Sequence, residues 1–291
     1  MSDTAVSPVP SPSPTSASVR PGVQVELAPG ASPPPGRGAR SGLLVLAPVF
    51  GVVGFLLLWQ LLVTALHIPR YQLPAPWNIV RHLVSDAGFY WTNGRRTAWE
   101  AFLGFGLALV IGVAGGALMA HSRFVDRALQ PLAVLIQVTP IIAYAPAIVI
   151  WTGFGLKPVL ILASLVCVVP FLLNSVTGLR AVDPSVLELA RSVDAGRGEV
   201  FWRLRVPSAL PYLFAAARIS VGLALIGAVL GEFFSGVSKG LGFSVRFAQS
   251  RNISLQLWGS VFVLALIGSL GTVAIGALER LLLRWHPSQH P

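Results

Sequence analysis

Few residues in this chain have the type and spacing needed for bond-making chemistry. The one cysteine, Cys167, sits inside an uncharged apolar run, which leaves no disulfide framework and no cysteine-based metal site. The five histidines (His67, His82, His121, His286 and His290) lie at the ends of apolar runs, in a polar segment or near the C-terminus. None has an acid beside it at the spacing of a His-Glu-x-x-His metal site. The sequence contains no Gly-x-x-x-x-Gly-Lys-Ser/Thr run, so it has no loop of that kind to cradle nucleotide phosphates. No catalytic and no metal-ligating residue is assigned. What remains is a set of polar groups in places where burial is costly: Glu232 and Arg218 in one otherwise apolar stretch, and Gln137, Thr139, Asn174 and Ser220 in apolar sequence. Such groups can line a path for a polar solute or hydrogen-bond one helix to another. Glu232 and Arg218 are 14 positions apart, about 21 Å along a helix, so they do not pair and Glu232 needs another partner or water.

The elements that must position these groups are set by composition. Of 291 residues, 54% are hydrophobic and 11% charged, less than half the ~25% charge of a soluble domain, which argues against an aqueous enzyme. The net charge of +10 comes from scattered basic residues between long apolar stretches, with no run of five like charges. That pattern fits the flanks of membrane helices and not a nucleic-acid-binding surface. Uncharged runs at 41–69, 101–122, 128–156, 158–179 and 252–278 each exceed the ~20 residues needed to cross a bilayer. A sixth span, 208–236, contains Arg218 and Glu232 but is otherwise apolar and rich in small residues. Six spans put both termini on one side, and twelve basic residues against eight in the connecting segments place that side in the cytoplasm. Residues 1–40 hold nine of the 23 prolines and are expected to be a disordered tail. A short tail is expected at 286–291. On the outer side, residues 71–94 are expected to include a short amphipathic helix, and Gly240-Leu241-Gly242-Phe243 a re-entrant turn or interfacial anchor. The pairs Gly112/Gly116 and Gly227/Gly231 have the small-xxx-small spacing that lets helix backbones approach.

One inner segment is polar over a long stretch, from Arg180 to Val206. Asp183 is a suitable N-cap and Pro184 a suitable first helical residue, so a helix is expected to start there. It should break around Asp194-Ala195-Gly196-Arg197-Gly198, where two glycines favour a turn. A second piece, Glu199 to Arg205, leads into Pro207 and the next span.

This segment resembles the EAA loop of binding-protein-dependent ABC importer permeases. Glu188-Leu189-Ala190 stands for the Glu-Ala-Ala triplet, Asp194 stands where the glycine is expected, and Leu204-Arg205-Val206-Pro207 fills the closing Ile-x-Leu-Pro. Gly196, two residues on, is expected to supply the flexible position. The chain also resembles the nitrate/sulfonate/taurine-type subfamily at Leu73-Pro74-Ala75-Pro76, Thr139-Pro140, Ala145-Pro146, Leu173-Asn174, Gly178 to Pro184, Gly231-Glu232-Phe233 and Gly240-Leu241-Gly242.

The resemblance implies an all-α membrane protein of the ABC type I importer permease fold, six transmembrane helices with a cytoplasmic coupling helix, in a permease domain at 41–285 with the coupling loop at 183–207. It implies a bacterial inner-membrane location and a translocation path for a small polar or anionic organic solute of the nitrate/sulfonate/taurine type; the alternative is a vitamin precursor such as a thiamine pyrimidine or riboflavin. The implied partners are two ABC ATPase subunits, a second permease copy, an extracytoplasmic substrate-binding protein and membrane lipid. ATP and magnesium would sit on the ATPases, with no cofactor on this chain. Glu188, Leu189, Ala190, Arg191, Asp194, Leu204, Val206 and Pro207 are the candidate coupling residues. Gln137, Thr139, Asn174, Ser220 and Glu232 are the candidate path residues. A secondary transporter is the alternative class, but the sequence shows neither an internal repeat nor a second buried acid.

Overall fold

The structure is a computed structural model that describes residues 37–283. The expected tails therefore fall outside the described residues, apart from 37–40, which begin the first helix. The chain forms two compact units, residues 1–52 and 53–291. The first contributes the N-terminal part of α1 (Arg37–Ala65), and the packing below is that of the second.

Every regular element among the described residues is helical. After α1, which carries no charge beyond Arg40, come α2 (Pro76–Ser85), α3 (Ala87–His121), α4 (Arg123–Val138), α5 (Ile141–Thr152), α6 (Leu156–Arg180) and α7 (Pro184–Ser192). Then follow α8 (Arg197–Val200), a π-helical turn over Phe201–Arg205, α9 (Val206–Phe234), α10 (Leu241–Ser250) and α11 (Ser254–Leu282). Four helices are long and apolar enough to cross a membrane: α3, α6, the continuous run Arg197–Phe234 and α11. α4 and α5, bent by 104°, make a fifth if the pair is one span, and Val49–Ala65 of α1 is a shorter apolar helix.

That bend is a departure from the single straight span expected at 128–156. Pro140 has no amide hydrogen, and its ring drives the preceding residue out of the helical region. Thr139 accordingly adopts φ −76°, ψ 126°. A second departure is at the start of α3. The amphipathic helix expected within 71–94 ends at Ser85, and the segment from Ala87 already belongs to the 35-residue α3. Arg95 and Arg96 are good helix formers, so the helix continues past the edge of its apolar run.

The core is built around α6, which packs against α3 on one side and α9 on the other. Ala108, Ala163, Cys167, Phe171, Ala216, Ala224 and Ala228 form it, and the small residues let the backbones come close. Glycine is needed at those crossings. A Cβ at Gly112 or Gly116 would run into Phe171 or Ser175 of α6, and one at Gly227 or Gly231 into Ala163 or Val159 of the same helix. Both small-xxx-small pairs thus face α6.

Hydrogen bonds mark the two ends of the bundle. At one end an Arg180 Nη2 donates to the Met119 carbonyl (2.7 Å) and to Asp126 (2.9 Å), joining the ends of α6 and α3 to the start of α4. At the other the Gly155 amide donates to the Ser235 carbonyl (3.0 Å), joining the start of α6 to the end of α9. The polar loop α7–α8 belongs to the first end.

Candidate functional site

Three features hold the candidate residues: the polar loop at one end, a cavity along the middle, and a buried hydrogen-bonded cluster at the far end.

The loop begins as its sequence dictates. Asp183 accepts from the Ser185 amide (2.8 Å) and hydroxyl (2.7 Å), which caps α7. These bonds, the hydroxyl first, hold the Asp183 carboxyl below its usual range. At the far end of α7 the Ala195 amide reaches the Ala190 carbonyl (2.9 Å) and the Asp194 amide the Arg191 carbonyl (3.0 Å), the paired bonds of a Schellman terminus. Asp194 occupies the left-handed position itself, with φ +55°. Gly196, expected to be the flexible residue, has φ −63°. The physical reason for a glycine at position 194 is therefore plain, and Asp, a tolerated non-glycine there, makes the same turn.

No residue of α7 is buried. Glu188, Leu189, Arg191 and Asp194 are exposed, whereas Ala190, Leu204, Val206 and Pro207 are half-buried. Val186, Leu189, Val193 and Trp202 add an exposed apolar surface, with Leu189 66% and Trp202 70% exposed. Val186 and Trp202 were not singled out by sequence; their signal was an apolar residue in a polar loop. The second piece does not stop at Pro207. Residues 197–234 run as one helix, with the π turn just before Pro207, where the proline has no amide to bond the preceding turn.

A cavity of about 500 Å³ lies where α4 breaks into α5. Gln137 and Thr139 at the break and Asn174 on α6 line it, as do Tyr144, Ile219 and Leu223, and none of its lining residues is charged. Asn174 donates one amide hydrogen to the Pro170 carbonyl (2.9 Å). Ser220 is not in the lining. It is fully buried in the core, where its carbonyl accepts from Cys167 Sγ at 3.3 Å.

Glu232 also lies outside the cavity, in a buried cluster that ties three segments together. Its carboxyl accepts from Thr97 Oγ1 of α3 (2.6 Å) and from the Gly242 amide (2.6 Å). Thr97 Oγ1 accepts from the Leu241 amide (2.8 Å), and Asn93 Oδ1 from the Gly240 amide (2.8 Å). Gly240 has φ +120°, and a Cβ on it would occupy the space of the Glu232 carboxyl. The Gly240-Leu241-Gly242 turn is a ledge of amide donors for α3 and α9. Glu100, only 2% exposed, is a second buried acid beside Glu232, contrary to the reading that no second one exists. Arg96 donates to it at 2.9 Å. Asn93, Thr97 and Glu100 stand at i, i+4 and i+7 on one face of α3, a spacing that would have revealed them. Arg218, as expected, does not meet Glu232; it pairs with Glu279 of α11 at 2.6 Å.

Residues 108–285 match the family described as binding-protein-dependent transport system inner membrane component. The chain is 32% identical to the formylaminopyrimidine transport permease protein of Halalkalibacterium halodurans over 84% of its own length and 97% of that protein's. It is 34% identical to the riboflavin transport system permease protein of Chloroflexus aurantiacus (80% and 87%) and 28% identical to a putative aliphatic sulfonates transport permease protein of Escherichia coli (85% and 95%). An inward-facing structure of the MetNI methionine ABC transporter superposes on 70% of this chain and 98% of its own, with a TM-score of 0.50 at 19% identity, a likeness of fold.

Proposed function

The chain belongs to the family of binding-protein-dependent transport inner membrane components, and on that premise we propose how it works as the permease subunit of an ABC importer. It is a multi-pass membrane protein and a transport subunit, and its family implies ATPase and substrate-binding partners. The arrangement proposed is two copies of this chain, two ATPases that carry the ATP and magnesium, and an extracytoplasmic binding protein, with both termini and α7 in the cytoplasm. This chain holds no cofactor of its own.

The observation that carries the reading is the exposed α7 joined to a helix that spans the whole bundle. Its Schellman turn ends α7, the chain then enters the 38-residue run Arg197–Phe234, and the far end of that run holds Glu232. A push on α7 by a closing ATPase passes through the connecting turn into this run, past the cavity wall at Ile219 and Leu223, toward the outer turn. The exposed Leu189 and Val193, with Glu188 and Arg191 beside them, give the partner an apolar contact and a charge register. In reconstituted complexes, Glu188→Lys and Ala190→Trp should each reduce co-purification of the ATPase and substrate-stimulated ATP hydrolysis at normal membrane abundance. Wild-type association in both variants would show that this loop is not the coupling element.

The solute is a small polar molecule reached through the cavity at Gln137, Thr139 and Asn174. A lining without charge favours the vitamin-precursor reading over the sulfonate one, because an anion leaving water would find no cation here. The relatives above 30% identity named for formylaminopyrimidine and riboflavin point the same way. In vesicles loaded with the assembled importer and its binding protein, uncharged pyrimidines or flavins should stimulate ATP hydrolysis; stimulation by taurine or alkanesulfonates alone would reverse the choice.

A further inference from the structure

One charged surface is used by neither the coupling loop nor the cavity. At the end of the bundle opposite α7, a groove of about 770 Å³ is lined by Thr92, Arg95, Arg96, Trp99 and Phe102 of α3 together with Lys239 from the turn before α10. Arg95 and Lys239 are exposed and have no acid within ion-pairing distance among the described residues. Two cations from segments far apart in sequence thus face one space without a counter-charge.

Arg95, Trp99 and Phe102 stand at i, i+4 and i+7, which puts them in one column on α3. Phe102 lies about 10 Å further along the axis than Arg95, toward the apolar middle of the span. The two rings stack, with centroids 5.7 Å apart and planes 24° apart, and they are 58% and 63% exposed. The cations therefore sit at the polar edge of the membrane, with an aromatic ledge running below them into the acyl region. A soluble anion would use the upper half of this surface only. A phospholipid uses both, its phosphate between Arg95 and Lys239 and its chains along Trp99 and Phe102.

We propose that this groove is a binding site for an anionic phospholipid, with Arg95 and Lys239 holding the headgroup phosphate and Trp99 and Phe102 the acyl chains. The site lies on the face of α3 away from Asn93, Thr97 and Glu100, which face the buried cluster. Occupancy would thus clamp the Lys239 turn to α3 from outside while Glu232 holds it from within.

The test uses the full chain in nanodiscs of phosphatidylcholine with a minority of phosphatidylglycerol, followed by mild detergent extraction and mass-spectrometric counting of retained lipid. Phosphatidylglycerol should be retained above its bulk fraction, and Arg95→Ala and Lys239→Ala should each lower its retention roughly fivefold, since a cation at the membrane surface is worth about that factor. Trp99→Ala should shorten retention without changing the preference between headgroups. Arg81→Ala, an exposed basic residue of α2 outside the groove, should change neither. Unchanged retention in Arg95→Ala and Lys239→Ala, with both variants folded by their melting profile, overturns the site. Displacement of the lipid by millimolar inorganic phosphate overturns the lipid in favour of a soluble anion. Loss of dimer without loss of lipid in the same variants would assign the face to a second copy and overturn it as well.

Discussion

Glu232 was visible as an acid in an apolar stretch, but its role was not, because a single carboxylate in a span reads equally well as a path residue. The structure gives it two donors, Thr97 and the Gly242 amide, both buried with it. Removing the carboxyl leaves the Gly242 amide without its acceptor, at about 1–3 kcal/mol, and Thr97 with only the Asn93 carbonyl at 3.2 Å. Glu232→Ala should therefore lower the melting temperature of the purified chain and expose the 236–242 turn to proteolysis. Glu232→Gln keeps one acceptor oxygen and presents an amide hydrogen toward Glu100, whose Oε2 has no partner among the described residues, so it should recover most of that loss. Equal melting of the alanine variant and wild type would mean that the cluster is not structural. What sequence reasoning lacked was the face of α3: Glu100 belonged to a polar stretch at the end of an uncharged run, and only the helical spacing with Asn93 and Thr97 turns it inward.

At the scale of elements, hydropathy located five uncharged runs and one interrupted run, and each is helical along most of its length. It carries no direction, however, so the 104° bend at Thr139-Pro140 and the extension of α3 back to Ala87 had to come from backbone chemistry. The polar loop at 183–207 was legible in more detail. Asp183 and Pro184 start α7 as their capping preferences require, and the helix breaks in the expected stretch, while Gly196 was wrongly expected to be its flexible residue. The φ of +55° at Asp194 corrects this and supports a prediction. Asp194→Gly relieves a left-handed conformation that costs a residue with a Cβ about 1 kcal/mol, so amides near Ala195 should exchange more slowly with solvent, and ATPase association should be preserved or strengthened. Gly196→Ala, at φ −63°, should leave the same amides unchanged. Faster exchange in Asp194→Gly would show that the aspartate side chain, and not the backbone turn, holds the end of α7.

At the scale of the molecule, fold class was readable because composition excludes a water-facing surface and because the motif residues fall at fixed spacings. Which end faces the cytoplasm rests on a bias of twelve basic residues against eight, and three of the outer ones, Arg95, Arg96 and Lys239, converge on a single groove. The two ends of the bundle can be told apart chemically with one cysteine at each. Cys167 is fully buried and can be replaced by alanine to leave a silent background. Ala87→Cys, at the exposed start of α3, and Ser192→Cys, at the exposed end of α7, lie at opposite ends of the structure. In intact cells an impermeant thiol reagent should label the cysteine at 87 and spare the one at 192, and in inverted vesicles the pattern should exchange. Labelling of position 192 from outside would place α7 beyond the reach of any cytoplasmic ATPase. Transmission of its motion into the Arg197–Phe234 run would then have no driver.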